Sequence, residues 1–536
     1  MRRRLIWGLT ALVTVLAVPA PARSGSDTSP SPRTRVAGIN RSVDPGGSRP
    51  AWVPRLVREG SDLRSSAGGS GGASPERVGG PLVPTVLGAP FDGLPDDEEV
   101  SPGDPIGALG IDYHLAAVNV RMAFYDRMSV RFGPKRLLEN LDDQLPPPAL
   151  VRSFDPKVAY DPYRQHFLLV FLSSTSTQSF ISVVVIPEGS EGTTGDWCTV
   201  HMSGDQVGGN GKQFADYPMI GFTEDRVTIT TNQFDFSRAP QIRGFQYAQV
   251  ISMRKTPLYD CGMPVVPIKV FGGSSTRDPD GSRAFTIVPT ISVGGSPTIQ
   301  YMTSLDFNGS TGKLILWRLR VVNGALALSR AHIAGEPMFF PRWGRQCGQN
   351  AGLDSRWDTG DLRLTSSFWD ADRGRLYTAT AIDGNIAGGG RESVIRWWEV
   401  DPSTALANSQ VTRKGRVAEP ARDLAWPSVA TDGDGKLWVT YARAGFGECL
   451  AAYASLIQLG TTASTPVHIR TGSGRYEFTT ATVRDPGIER WGDYTAITRD
   501  PVNQTQMAAY GAHPTSDGGG SRTHLWQQVI ATLTDT

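Results

Sequence analysis

The chain of 536 residues carries 53 Lys and Arg against 52 Asp and Glu, a formal charge of +1, and 39% of it is hydrophobic. So even a balance excludes the basic surface that nucleic acid or an anionic membrane selects. Arg2, Arg3 and Arg4 precede an apolar run over residues 5–18 and a small-x-small site at Ala20, Pro21 and Ala22. This is the pattern of a secretory signal peptide, and the run is shorter than the roughly 20 apolar residues that span a bilayer. Cleavage after Ala22 is expected to leave a released protein, without membrane insertion, with a formal charge of about −2.

Residues 23–80 are rich in Ser, Gly, Pro and Arg and poor in large apolar groups. Such a segment buries too little surface to offset its ordering entropy, which predicts a disordered linker. The folded domain is placed at 81–536. Its four cysteines, Cys198, Cys261, Cys347 and Cys449, predict two disulfides in an exported chain. The pairing Cys198–Cys261 with Cys347–Cys449 is favoured, because the first two close strands of consecutive units. No Cys-x-x-Cys or His-rich spacing signals a zinc site.

Short strands separated by Asp, Pro, Gly and Ser clusters fill the domain, and no helix of useful length is expected. Three strands are read over 110–132, and four at 158–160, 166–172, 180–186 and 197–201. The unit from Asp216 holds 227–231, 244–252 and 257–259. Further units run over 285–321, over 361–400, from Trp426, and over 493–533. Their opening stretches resemble one another, and Pro156, Pro218, Pro289, Arg363, Pro427 and Thr495 recur at intervals of roughly 60–75 residues. Radial repetition leaves only short, protected sheet edges. The fold is therefore read as an all-β propeller of seven four-stranded antiparallel meanders. It has six if the unit at 107–140 merely completes another blade. A segment near 81–90 would supply the strand that the last unit lacks.

The pattern over 110–126, with His114, Leu115, Ala116, Ala117, Val118 and Asn119, resembles the opening of secreted bacterial propellers. These are loosely grouped with sialidase-like or BNR-repeat proteins. Residues 353–363, the strand containing Arg396, Trp397, Trp398, Glu399 and Val400, and residues 490–494 extend the resemblance. It implies a propeller and says little about activity. A sialidase would carry Asp-boxes, but the nearest stretch, 275–282, lacks both their spacing and their tryptophan.

Asp216, Asp361 and Asp493 occupy related places in their opening strands. The first strand of a propeller blade lines the channel, which brings these acids toward its mouth with Tyr217, Arg363, Arg490, Trp491 and Tyr494. One reading is a ligand site, and paired carboxylates also suffice for glycoside hydrolysis. The other, which is favoured, is that each Asp fixes its strand by accepting backbone or Arg hydrogen bonds. Asp432, Gly433, Asp434 and Gly435 resemble the start of a calcium loop but lack the downstream Glu, and a turn is favoured. No cofactor or metal is expected, and calcium lacks a full motif. The loop 340–357, with Arg342, Trp343, Arg345, Arg356 and Trp357, is rich in residue types common at binding hot spots. Asn308 and Asn503 fit a glycosylation pattern and are read as turns.

The functional expectation is an exported, monomeric propeller that binds a glycan or protein at the cell surface or outside the cell. Binding is favoured over catalysis. The alternatives are a glycoside hydrolase or lyase using channel carboxylates, and a structural envelope component.

Overall fold

The computed structural model describes residues 33–39, 83–96, 100–147, 150–207, 213–235, 244–308, 311–348, 356–385, 391–458, 460–462, 464–478, 488–515, 522–523 and 525–535. The expected signal peptide and most of the expected linker lie outside them.

Among the described residues the chain folds into seven four-stranded antiparallel meanders. The first is Ile106–Leu109, Tyr113–Val118, Arg121–Asp126 and Arg131–Leu137. Five more begin at Arg152–Asp161, Gln213–Phe222, Val288–Pro289, Ser366–Asp370 and Asp423–Thr431. The last begins at Ala496–Arg499 and continues through Met507–Thr515 and Leu525–Asp535. Its fourth strand is Pro84–Pro95, which pairs antiparallel with Leu525–Asp535 and closes the architecture as the sequence suggested. The opening strand of each meander touches that of the next, and the last touches the first. The result is an all-β propeller whose opening strands surround a channel.

The sheets pack face to face, so a strand between two neighbours is buried on both sides and reads as a continuous apolar run. Phe167, Leu168, Leu169, Val170, Phe171 and Leu172 are all fully buried. The outer strands are half exposed, and four of them, Val265–Phe271, Ala325–Pro337, Gln410–Val417 and Ser464–Thr471, were missed in the sequence. Val265–Phe271 is the true fourth strand of the third meander. Residues 257–259, expected as that strand, belong instead to the short helix Lys255–Tyr259, where Pro257 sits in the first turn and breaks no hydrogen bond. Ala325–Pro337 follows a two-residue turn in which Asn323 and Gly324 both have positive φ, the conformation that makes Asn-Gly a hairpin signal.

Arg33–Ile39, inside the segment expected to be disordered, forms a strand. It lies parallel to both Cys198–Ser203 and Val265–Phe271, joining the perimeters of the second and third meanders. The expectation of an unstructured linker fails for these seven residues because two open edges face each other there and accept a third strand. Cys198 pairs with Cys261 and Cys347 with Cys449, at Cα separations of 5.5 and 4.5 Å, which is the favoured pairing. Among the described residues no helix is long and apolar enough to cross a membrane.

Candidate functional site

A recurring backbone feature builds the channel mouth. Asp104, Asp155, Tyr217 and Trp426 all have positive φ, and each precedes a proline. The ladder shifts register at the last three, between Phe154 and Lys157, Asp216 and Met219, and Ala425 and Ser428. A bulge of this kind bends the strand and re-aims its side chains. Non-glycine residues held at positive φ cost on the order of 1–3 kcal/mol and persist only where their surroundings over-determine them. Thr286, with φ +53°, takes the same place ahead of Val288 in the fourth meander, and Gly360, with φ +86°, lies further ahead of the fifth. There a Cβ would lie 2.6 Å from the Trp426 ring.

The strained residues are latched to one another. Asn119 donates to Asp104 Oδ2 at 2.7 Å and accepts from the Asp155 backbone N–H at 2.8 Å. Asp155 Oδ2 accepts from the Tyr217 N–H at 3.3 Å, and Asp104 Oδ1 from the Asp493 N–H at 2.7 Å. Two acids thus each fix the opening of a neighbouring blade.

The sequence-selected residues meet here with one exception. Asp361 receives Arg363 in a bidentate pair, Nε at 2.8 Å and Nη2 at 2.7 Å, and also accepts the Arg363 N–H. Arg490 pairs with Asp493 and lies 3.6 Å from Asp358. Arg363 stacks 4.3 Å from the Tyr217 centroid, and the Tyr217 and Tyr494 rings are 5.0 Å apart. Trp491 is the exception, buried edge-to-face against Tyr476. Asp358, Asp361, Asp493 and Arg490 form a rim with 14–29% of each side chain open to solvent. Asp104, Asp155, Lys157, Asp216 and Arg363 form a buried floor.

Asp104, Asp155, Lys157 and Asp358 were not among the residues selected from the sequence. The shared signal at the first two is an Asp-Pro pair, Asp104-Pro105 and Asp155-Pro156.

Crowding the carboxyls into a buried floor separates their proton affinities. Burial, reinforced by the Asp216 charge, pushes Asp155 up to about 8, and burial takes Asp216 to about 7 despite Arg363. Asp104 rises well above the ordinary range through burial and then Asp493. Burial brings Lys157 down to about 7. Asp361, on the half-buried rim, meets the same upward push from desolvation, but Arg363 holds it below the usual carboxylate range. Three polar atoms of the floor, Asp216 Oδ2, Tyr217 Oη and Tyr494 Oη, are buried without a hydrogen-bond partner.

The rim is carried by two long connections that pair with each other, Arg356–Trp357 running parallel to Ile488–Glu489. The first is the tryptophan- and arginine-rich loop selected from the sequence. Trp357 is fully buried and Arg345 is held by Asp423 and Glu392, while Trp343 remains 42% exposed. Arg345 and Arg356 lie near the Phe446 ring, at 5.5 and 5.9 Å. Asp432 caps a plain turn: its Oδ1 accepts from the N–H of Asp434 and of Lys436, and its Oδ2 from Trp438 Nε1.

No family model and no curated protein matches the chain. Among solved structures it is similar to a protein of unknown function from Dyadobacter fermentans, at 10% identity and TM-score 0.37, covering 71% of this chain and 99% of that one. It is also similar to an α-L-arabinanase from Penicillium chrysogenum complexed with arabinobiose, at 13% identity and TM-score 0.32, covering 59% and 93%. A Hadza microbial sialidase, at 9% identity and TM-score 0.35, covers 78% and 73%. Scores this low carry no argument about activity and assign no family.

Proposed function

We propose that the protein is an exported, seven-bladed propeller that binds a neutral glycan at the mouth of its channel. The observation that carries this reading is the trio of buried, unpartnered polar atoms, Asp216 Oδ2, Tyr217 Oη and Tyr494 Oη, on adjacent side chains. Leaving a buried polar group unpaired costs about 1–3 kcal/mol, so three together need an explanation in what they bind. A sugar supplies hydroxyls for such atoms and a ring face for the aromatics. A neutral sugar fits better than an acidic one, because Arg363 and Arg490 are already engaged by Asp361 and Asp493. Export accords with the two cysteine pairs, which persist in oxidising compartments.

A second reading, glycoside hydrolysis, is favoured by one feature. Asp155 and Asp216 keep a proton near neutral pH beside an ionised Asp361, the division of acid and base that such chemistry uses.

A glycan array carrying neutral and sialylated oligosaccharides, with reducing-sugar release measured on every bound sugar, tests both. The expected result is binding of neutral glycans that is lost in Asp216→Asn and weakened in Tyr217→Phe and Tyr494→Phe, with the variants still folded. Absence of binding by the wild-type chain, or binding indifferent to all three substitutions, overturns the proposal. Turnover that disappears in Asp216→Asn moves the hydrolase reading ahead.

A further inference from the structure

Away from the channel, the connection from the third to the fourth meander makes a tight loop. Asp278 N–H donates to Ser282 O at 2.9 Å, and Arg277 and Arg283 form a bridge across it. Asp278 and Asp280 of this loop approach Asp306 on the strand Gln300–Asn308. One carboxylate oxygen from each of the three lies within 4.8 Å of the other two. The grouping does not follow from fold requirements alone. Asp278 is 2% exposed, and its Oδ1 has no hydrogen-bond partner, although its Oδ2 accepts from Ser282 Oγ at 3.3 Å. Asp306 is also buried, with Oδ2 3.1 Å from His332 Nε2.

We infer that Asp278, Asp280 and Asp306 form a calcium site that ties the loop to the fourth meander. The donors are all hard carboxylate oxygens, which suit calcium or magnesium rather than a soft transition metal. Calcium is the better match because it tolerates irregular geometry and fills six to eight positions with carbonyls and water, whereas magnesium demands a near-ideal octahedron. Asp280 is exposed, so the site opens to solvent on one side and gives the ion a path in. The site is independent of the channel and of what binds there.

Titration of the chelator-treated full chain with calcium chloride, followed by calorimetry and by thermal unfolding, tests the site. One equivalent of calcium is expected to bind and to raise the unfolding midpoint. Asp278→Asn and Asp306→Asn should each weaken the affinity about tenfold or more. Asp280→Asn alters an exposed side chain and should also weaken it while leaving the calcium-free midpoint unchanged, so it decides the matter if the buried variants fail to fold. No calcium-dependent heat in the wild type overturns the inference. So does calcium binding that survives Asp280→Asn but is lost in Asp493→Asn, which would put the ion in the channel.

Discussion

Lys157 holds its ammonium 3.2 Å from the centroid of the Tyr494 ring, joining the second meander to the last across the channel floor. A desolvated cation–π contact contributes up to about 2 kcal/mol, yet burial disfavours the charge enough to bring Lys157 down to about 7. The penalty outweighs the contact. Lys157→Met is therefore expected to stabilise the fold by on the order of 1 kcal/mol below pH 7 and to weaken glycan binding in the same protein. Urea midpoints at pH 6, with binding measured alongside, check both halves. A large destabilisation would show that the lysine is structural.

The floor also sets a pH profile. Asp155 and Asp216 have folded-state values of about 8 and 7 against an ordinary 3.8. Between those limits the folded chain keeps protons that the unfolded chain has released, so stability falls as pH rises from about 4 to 8. Lys157 acts in the opposite sense, because above about 7 the folded chain has released a proton that the unfolded chain retains up to about 10.5. These groups place a trough near pH 7–8, with slopes on the order of 1 kcal/mol per pH unit. Asp155→Asn should flatten the acidic limb. Equal denaturation midpoints at pH 5 and 7.5 would contradict the assignment.

The Asp361–Arg363 pair is expected to behave differently. Lysine cannot reproduce the bidentate fork or the stack on Tyr217, so Arg363→Lys should cost about 1–2 kcal/mol by urea denaturation at pH 7. Asp216→Asn, which disturbs an oxygen that pairs with nothing, should be neutral or stabilising at the same pH. The reverse ordering would mean that Asp216 is the structural acid.

Closure by Pro84–Pro95 makes a prediction about truncation. A chain beginning at residue 81 retains the closing strand and should elute from a sizing column as the full chain does. Removing residues 84–95 strips the partner from Leu525–Asp535 and bares an edge carrying Val529, Ile530 and Leu533. Exposed edges of this kind template association, so the shorter chain should form soluble oligomers or precipitate. Light scattering distinguishes the outcomes.

The sequence revealed the meanders through their fully buried middle strands, whose apolar runs are unmistakable. It hid Val265–Phe271 and Ala325–Pro337 because perimeter strands mix Lys, Arg and His with apolar residues. At the channel it revealed Asp216, Asp361 and Asp493 by residue type but concealed Asp104, Asp155 and Lys157. The reason is that the common property is a left-handed backbone turn, not a side chain. Asp, Tyr, Trp and Thr all occupy that turn, so matching by type places Asp216 one residue away from the true counterpart of Asp155. Trp491 was misassigned for the converse reason. Its sequence position adjoins the channel, but its ring turns to Tyr476.

The strand Arg33–Ile39 has a counterpart deeper in the fold. Ile291–Val293 lies parallel to both Phe222 and Ser366–Asp370 and ties the third meander to the fifth. Through these two splints, fourteen strands run as one hydrogen-bonded sheet from Arg152–Asp161 to Gln410–Val417, while the first, fourth, sixth and seventh meanders remain separate sheets. The order of the chain and the order of the hydrogen bonds therefore differ. Cooperative opening is expected to follow the latter, so the most protected amides of the second, third and fifth meanders should report one opening free energy by hydrogen exchange, and those of the fourth, which lies between them in sequence, a separate one.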